Sequence, residues 1–305
     1  MSPRALFAGR SGGFVLIVVL WGAALLAVIA LTFTQNTRLE AKAAHNIVSN
    51  AQARSLAEAA VQIGLKDGIA TLFQRKQSRA ARIRTDGTPF ACTLPGGALA
   101  QIQIWDEGGK IDLNTARGPL LERAFQGTGL ALAQARRLAH AVIDYRDANT
   151  ARVSGGPEET GYGQAGKPYG SKDWLFESIF ELAQVPGMSP AIFDRLAPYL
   201  TVHSGSQGVD RRAAPLPLLA LLSGEDRGAD RSAYELPQQF TARSRQAAFT
   251  MRAAVHMPGG GRFVRLAAIR PVETYRYRYE FASWRRGPSL ERDLAGVSAT
   301  TLQPC

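Results

Sequence analysis

Oxygen-bearing side chains gather around one glycine-rich loop of this chain and could hold a metal ion. Calcium takes about six to eight oxygen ligands from carboxylates, amides and carbonyls. No EF-hand spacing is present, and helix-end carboxylates paired with Arg146 and Arg152 would explain the same composition. The oxygen-bearing residues are Asp144, Asp147, Asn149, Glu158, Glu159 and Asp173.

A second acidic pair, Asp106-Glu107, could in principle work as a general acid and base. It stands directly before Gly108-Gly109, and acidic residues beside glycines are typical of a tight turn. The four histidines are scattered, and HExxH, GxSxG, P-loop and GxGxxG patterns are absent. The sequence therefore predicts no catalytic residues and no enzyme.

An uncharged stretch near the N-terminus is long enough to cross a membrane. Residues 14–33 read FVLIVVLWGAALLAVIALTF, 20 residues without a charge, and about 20 apolar residues span a bilayer as a helix. Arg4 and Arg10 precede the stretch, which places the N-terminus in the cytoplasm by the positive-inside rule. A cleaved secretory signal would need a shorter core and a small-residue site after it, so we favour a retained single-pass anchor.

The two cysteines, Cys92 and Cys305, lie too far apart in the sequence for a metal-ligand spacing. Beyond the membrane the compartment is oxidising, which favours a disulfide between them. The alternative is a disordered C-terminal tail with a free thiol. Cys92 precedes the first predicted strand, so a bridge would attach that tail to the sheet.

The chain is strongly basic, with a net charge of +11 and an isoelectric point near 10.1. Such a balance indicates an anionic partner. The densest basic run, residues 75–84, is explained equally well by a solvated helix end, so charge alone does not predict nucleic-acid binding.

Apolar periodicity predicts the elements that would carry these residues. Three- and four-residue spacing extends from the membrane stretch to about Phe73, which predicts one long helix, or two helices with a break near Gly64 or Gly68. Period-two alternation predicts a hairpin over residues 101–114 and a three-stranded meander over residues 249–281. The intervening residues read mainly as helix, including two helices around a tight turn within residues 176–202, so the fold class is α+β.

The start of the apolar stretch resembles a type IV prepilin leader. Gly13-Phe14 follows a short basic segment, and pilins are cut at such a junction by a prepilin peptidase. Most pilins carry a glutamate at the fifth mature position, where this chain has Val18. Protein K of type II secretion systems typically lacks that glutamate.

Four internal motifs resemble the same protein K family: DEGGKIDLNTA (106–116), VIDYRDAN (142–149), YGSKDWLFESIFELAQVPGMSP (169–190) and RLAPYLTVHSG (195–205). The closing FTMRAAVHMPGGGRFVR adds to the likeness. One departure is GVDRRAAPLPLLALL at residues 208–222, where the family often has a second VNVNTA-like segment. The geometry near residues 209–222 therefore stays open.

The resemblance implies a pilin-like helix and antiparallel sheet interrupted by a large α-helical insert. The implied divisions are a leader (1–13), a transmembrane segment (14–33), a periplasmic helix (34–80), a first β part (84–113), an inserted α domain of helix-hairpin-helix or SAM-like type (114–245), a closing meander (246–290) and a tail (291–305).

The resemblance also implies partners and a cofactor. A protein K is a minor pseudopilin that joins I- and J-type pseudopilins at the tip of a pseudopilus built from a major pseudopilin on the inner membrane, with its head in the periplasm. It implies calcium in the α domain, for which we prefer Asp147, Asn149, Glu158 and Glu159 as ligands. Cleavage between Gly13 and Phe14 and methylation of Phe14 follow from the leader. Partner helices would pack near Val18 and along Ala41, Ala44, Val48 and Ala51, where small side chains allow close approach.

A rival interpretation is a membrane-anchored DNA receptor, because VPGMSP (185–190) resembles a helix-hairpin-helix turn. Few basic side chains flank that turn, and Asp194 lies close by. Phosphate binding needs clustered Lys or Arg, so we do not expect nucleic acid as a partner.

Overall fold

The computed structural model describes residues 12–69, 83–147, 170–228, 230–272, 279–290, 293–294 and 302–305. Helix α1 runs from Gly12 to Gly64 without interruption and continues into a single π-helical turn, Leu65–Ile69. The one-helix prediction therefore holds to that point, and the π turn follows the first of the two glycines at which a break was considered. The rest of the predicted helix, residues 70–80, lies outside the described residues.

One five-stranded antiparallel sheet packs against α1. Its strands are β1 (Phe90–Leu94), β2 (Ala98–Asp106), β5 (Phe249–His256), β6 (Arg262–Pro271) and β7 (Tyr279–Arg286), in the spatial order β1-β2-β5-β6-β7. The predicted closing meander is present, with its third strand described from Tyr279 onward. Because β2 pairs directly with β5, residues 107–248 form an insert between two neighbouring strands.

The predicted hairpin over residues 101–114 is wrong. Strand β2 pairs with β1 and β5, whereas β3 (Ile111–Asp112) pairs in parallel with β4 (Leu200–Thr201) in a separate two-stranded sheet. Residues 111–112 therefore lie with the insert rather than with the pilin-like sheet. Apolar and polar residues alternate along β2 because one face of the strand is buried against α1 and the other is not. Such alternation does not tell which strand is the neighbour of β2.

The described residues of the insert form four short α-helices around a separate core. They are α2 (Gly118–Gly127), α3 (Leu132–Arg146), α4 (Pro190–Leu196) and α5 (Leu216–Ser223). Of the two helices predicted within residues 176–202, only α4 is α-helical. The first is a 3-10 segment, Ile179–Gln184, because Pro186 and the left-handed Gly187 (φ 86°) follow it and stop further winding.

Two hydrophobic cores result. One lies between α1 and the sheet, where Ala53, Ala57 and Ala60 are fully buried against Ile102 and Met251. The other lies inside the insert and includes Phe125, Val142 and Leu218. A long apolar helix, an antiparallel sheet and a separate set of helices confirm the α+β prediction.

Candidate functional site

The N-terminal part of α1 is apolar, and its residues 14–33 are exposed, with none of them buried against the other described residues. Within the described residues, this is the one helix long and apolar enough to cross a membrane. Gly13 and Phe14 lie in its first turns, and Phe14 and Val18 are exposed along with the other large side chains of the stretch. Cleavage at this junction and methylation of Phe14 stay predictions.

Threonines mark the end of the apolar stretch and satisfy their hydroxyls within the helix. Thr32 and Thr34 donate to the carbonyls of Val28 and Ala30 at 3.0 and 2.7 Å. Such back-bonding leaves no unpaired hydroxyl at the depth where water is scarce.

Two faces of α1 beyond the membrane stretch differ in burial. Ser49, Ala53, Ala57 and Ala60 are buried against the sheet. The small residues predicted to receive partner helices are all exposed, and at about 100° per residue they lie on roughly the opposite side of the helix. These residues are Ala41, Ala44, Val48 and Ala51. The sheet and the insert, together called the head, therefore leave this face of α1 uncovered. Partner binding there stays a prediction.

Two hydrogen bonds attach the β5–β6 turn to α1. The backbone amide of Gly261 donates to Ser49 Oγ at 3.0 Å, and the amide of Arg262 donates to Asn50 Oδ1 at 3.2 Å. A Cβ atom on Gly261 would overlap Ser49. The glycine run of the closing motif thus serves close approach of the turn to the helix.

Asp106 and Glu107 stabilise a turn at the end of β2. Asp106 Oδ1 accepts hydrogen bonds from the amide of Gly108 at 2.9 Å and from Ser244 Oγ at 2.8 Å, while Glu107 pairs with Lys110 at 2.5 Å. Burial raises the pKa of Asp106 above its usual value, although the two hydrogen bonds oppose that shift. These groups join the end of β2 to the insert.

The glycines of this turn are required by packing. A Cβ on Gly108 would overlap Ser244, and one on Gly109 would overlap the backbone of Ala213 and Ala214. The insert therefore closes directly onto the end of the sheet.

Asp112 and Asn114 connect distant loops of the insert. Asp112 Oδ2 accepts from the amides of Ser204 and Gly205, both at 2.8 Å. Asn114 accepts from the amide of Phe176 at 2.7 Å and donates to its carbonyl at 3.0 Å. Sequence reasoning missed both roles, although Asp and Asn at the end of a short strand are residue types that often bond to backbone.

Arg146, at the end of α3, completes this framework. Its guanidinium donates to the carbonyls of Leu113 and Ala116, the latter at 2.8 Å. The DEGGKIDLNTA and VIDYRDAN motifs therefore meet through a side chain and backbone carbonyls.

Of the four preferred calcium ligands, only Asp147 falls among the described residues. Its amide caps α3 by donating to the carbonyl of Ile143 at 3.1 Å. Asn149, Glu158 and Glu159 lie outside the described residues. In the part of the chain that the structure describes, no three His, Cys, Asp or Glu side chains are grouped to hold a metal ion.

The C-terminal tail is attached to the sheet at two points, one at the edge strand β1 and one at the central strand β5. Cys92 of β1 and Cys305 form a disulfide with Cα atoms 5.1 Å apart, and the amide of Cys305 donates to the carbonyl of Thr93 at 3.0 Å. At β5, Asp293 accepts hydrogen bonds from both terminal nitrogens of the buried Arg252, at 2.7 and 2.6 Å. The second attachment was not predicted from the sequence.

Comparison with known proteins identifies the central part of the chain. Residues 102–205 match the family model of the type II secretion system (T2SS) protein K. Over this region the chain is similar to the protein K family. A solved structure, the GspK–GspI–GspJ complex of the type 2 secretion system from enterotoxigenic Escherichia coli, is similar at 15% identity over 83% of this chain and 100% of that chain, with a TM-score of 0.48. No curated protein matches the chain.

The protein K region includes the residues that hold the insert together. It begins in β2 and contains Asp112, Asn114 and Arg146 together with the loops that they bind. The match therefore centres on the insert and on the strand that leads into it.

Proposed function

We propose that this chain is a minor pseudopilin of a type II secretion system, which forms the tip of a periplasmic pseudopilus and helps to initiate its assembly. The observation that carries the proposal is the position of the insert, residues 107–248, between the adjacent strands β2 and β5. A filament of pilin-like subunits stacks heads in a narrow helix, and a second domain on one head would obstruct a subunit above it. Facing outward at the end of the filament, the same domain meets no neighbour.

The exposed face of α1 supports association with I- and J-type pseudopilins and the major pseudopilin below. Ala41, Ala44 and Ala51 are free of the sheet and small enough to let another helix approach closely. Val18 replaces the carboxylate that in most pilins holds the amine of a neighbouring subunit. A subunit without that charge can accept followers without needing a predecessor.

The register of the sheet allows a sharp test of the tip role. Asp106 and Phe249 are direct partners in neighbouring antiparallel strands, so an Asn-Gly turn can replace residues 107–248 and close a two-residue hairpin. We expect the shortened subunit to reach the membrane but to appear along the fibre, because nothing then blocks a subunit above it. A tip role would be contradicted if labelled full-length protein already decorated the fibre along its length.

Processing by a prepilin peptidase is proposed from the Gly13-Phe14 junction. The expected product begins at N-methylated Phe14, which the mass of the N-terminal peptide from membranes would reveal. A Gly13→Leu variant should keep its leader. Intact leader on the wild-type chain in cells with an active peptidase would contradict the proposal.

Calcium binding in the insert is proposed for the loop that starts at Asp147. The donor set of Asp147, Asn149, Glu158 and Glu159 is all-oxygen, which suits a hard cation. Calorimetry at millimolar calcium should show binding to the wild type and none to a variant with all four residues changed to their neutral counterparts. Absence of heat and of a chelator-sensitive melting shift in the wild type would remove the site.

A further inference from the structure

We infer that a cleft in the insert binds carboxylate groups of an acidic protein segment. The cleft encloses about 430 Å³ between the start of α2, the loop 205–208 and the segment 241–245. Its charged lining residues are Arg117, Arg243 and Arg245, and no Asp or Glu lines it. The inference concerns the head alone, so it stands or falls separately from the tip role.

The walls of the cleft are held in place by backbone contacts. The amide of Val209 donates to the carbonyl of Phe240 at 2.9 Å, and the amide of Ala242 donates back to Val209 at 3.1 Å. On the other side, Thr115 Oγ1 donates to the carbonyl of Ser206 at 2.6 Å. A preformed cleft requires little ordering when a ligand enters, which favours affinity.

The positive charge of the cleft is not neutralised by its surroundings. Arg117 is oriented by Gln207 Oε1, which accepts from Nε at 3.1 Å and from Nη2 at 2.8 Å. Because this acceptor is uncharged, the guanidinium is positioned and keeps its full charge. Arg243 and Arg245 are exposed and form no ion pair within the described part of the chain.

Two carboxylates contact the segment 241–245 from outside the cleft lining: Asp210 accepts from the amide of Ser244 at 2.9 Å and Asp106 accepts from Ser244 Oγ at 2.8 Å. Both are engaged with Ser244 and with other backbone amides, and neither forms an ion pair with Arg243 or Arg245 within the described residues.

The chemistry of the lining selects the ligand class. Guanidinium groups match carboxylate and phosphate oxygens as paired donors. The remaining lining residues are glycine, alanine, serine, threonine and glutamine, so the cleft has no aromatic ring for a base to stack on and no large apolar side chain for an acyl chain to contact. Two or three neighbouring carboxylates therefore fit better than nucleic acid or lipid.

The length of α1 also argues against lipid of the anchoring membrane. The head first contacts the helix at His45, whose Nε2 lies 3.3 Å from the carbonyl oxygen of Gly259. His45 lies about 18 Å beyond Phe33 at 1.5 Å per residue. A protein segment reaching the head is therefore the occupant to test.

Binding of a fluorescent hexaglutamate peptide to the full chain in detergent tests the inference. Arg243→Gln with Arg245→Gln should weaken binding about tenfold or more, since two charge-assisted contacts are lost. The matched control is Arg137→Gln with Arg262→Gln, which removes the same charge from exposed positions outside the cleft. We expect the control to bind within about twofold of wild type, because distant surface charges are screened by salt. All four arginines are exposed, and unchanged unfolding midpoints would verify that the variants fold.

Equal weakening in both double variants would overturn the inference, because it would show attraction to net charge alone. Double-stranded DNA and vesicles of anionic phospholipid serve as competing probes. If either bound through Arg243 and Arg245 while hexaglutamate did not, the ligand class would be wrong. Displacement of hexaglutamate by millimolar inorganic phosphate alone would also overturn it, since it would reduce the site to one for any small anion.

Discussion

At the scale of single residues, the Arg252–Asp293 pair combines burial with opposite charge. Burial on its own raises the pKa of Asp293, but hydrogen bonds from Arg252 and the amide of Leu290 and the charge of Arg252 outweigh it, so the pKa lies below its usual value. A carboxyl group with a depressed folded-state pKa stabilises the fold above its unfolded pKa of about 4. That stabilisation is lost as the pH falls through the folded-state pKa.

Asp293→Asn should therefore destabilise the protein in a pH-dependent way. At neutral pH the buried guanidinium loses its counter-charge, and we expect a loss of about 3–5 kcal/mol in the free energy of unfolding. On acidification below about pH 4 the gap to wild type should narrow, because wild-type Asp293 also becomes neutral. Urea unfolding at several pH values measures the gap, with Glu280→Gln at an exposed position of β7 as the control. A gap that stayed constant down to pH 2 would contradict this account.

Gly261 tests the contact between the β5–β6 turn and α1. Gly261→Ala would force the turn away from Ser49, and overpacking of this kind costs about 1–3 kcal/mol. Gly260→Ala in the same turn is the control, since it meets no neighbour within 4 Å and introduces only the strain of a φ of 90°. The unfolding midpoint should fall further for Gly261→Ala than for Gly260→Ala. A larger fall for Gly260→Ala would show that the contact between the turn and the helix does not stabilise the fold.

At the scale of elements, the sequence predicted what local periodicity encodes. Helix α1 and strands β2 and β5 repeat their apolar residues over eight or more positions, so pattern and structure agree. Strand β3 has two residues, too few for any period to be visible. The framework of the insert was missed for a related reason, because Asp112 binds a loop 92 residues away and no local pattern records such a bond.

The two faces of α1 give a prediction at the same scale. Ala57→Leu places extra volume against the sheet and should lower the stability of the head by about 1–3 kcal/mol. Ala44→Leu changes an exposed position and should leave that stability unchanged. If partner helices pack on the exposed face, Ala44→Leu should instead reduce cysteine crosslinking to I- and J-type pseudopilins in membranes. Normal crosslinking with Ala44→Leu and reduced crosslinking with Ala57→Leu would assign the partner to a different face.

At the scale of the whole molecule, a disulfide closes residues 92–305 into one covalent loop. The Cys92–Cys305 disulfide joins β1 to the C-terminus across a sequence separation of 213 residues, and the tail adds backbone hydrogen bonds to the outer edge of β1. A crosslink over so long a segment restricts the unfolded chain, and removing a native disulfide typically costs about 2–5 kcal/mol. The tail also protects the edge strand β1, whose backbone groups would otherwise be open to pairing with another chain.

The double variant Cys92→Ser, Cys305→Ser should therefore unfold at a lower urea concentration than wild type, and it should show a greater tendency to aggregate through the uncovered edge. Reductant should lower the wild-type midpoint to that of the double variant and leave the variant itself unchanged. Thr301→Ser, in the tail but outside the bridge, is the control for a change of sequence alone. Two freely labelled thiols in protein isolated from the periplasmic side, or a wild-type midpoint that ignores reductant, would show that the tail is held by its hydrogen bonds and not by the bridge.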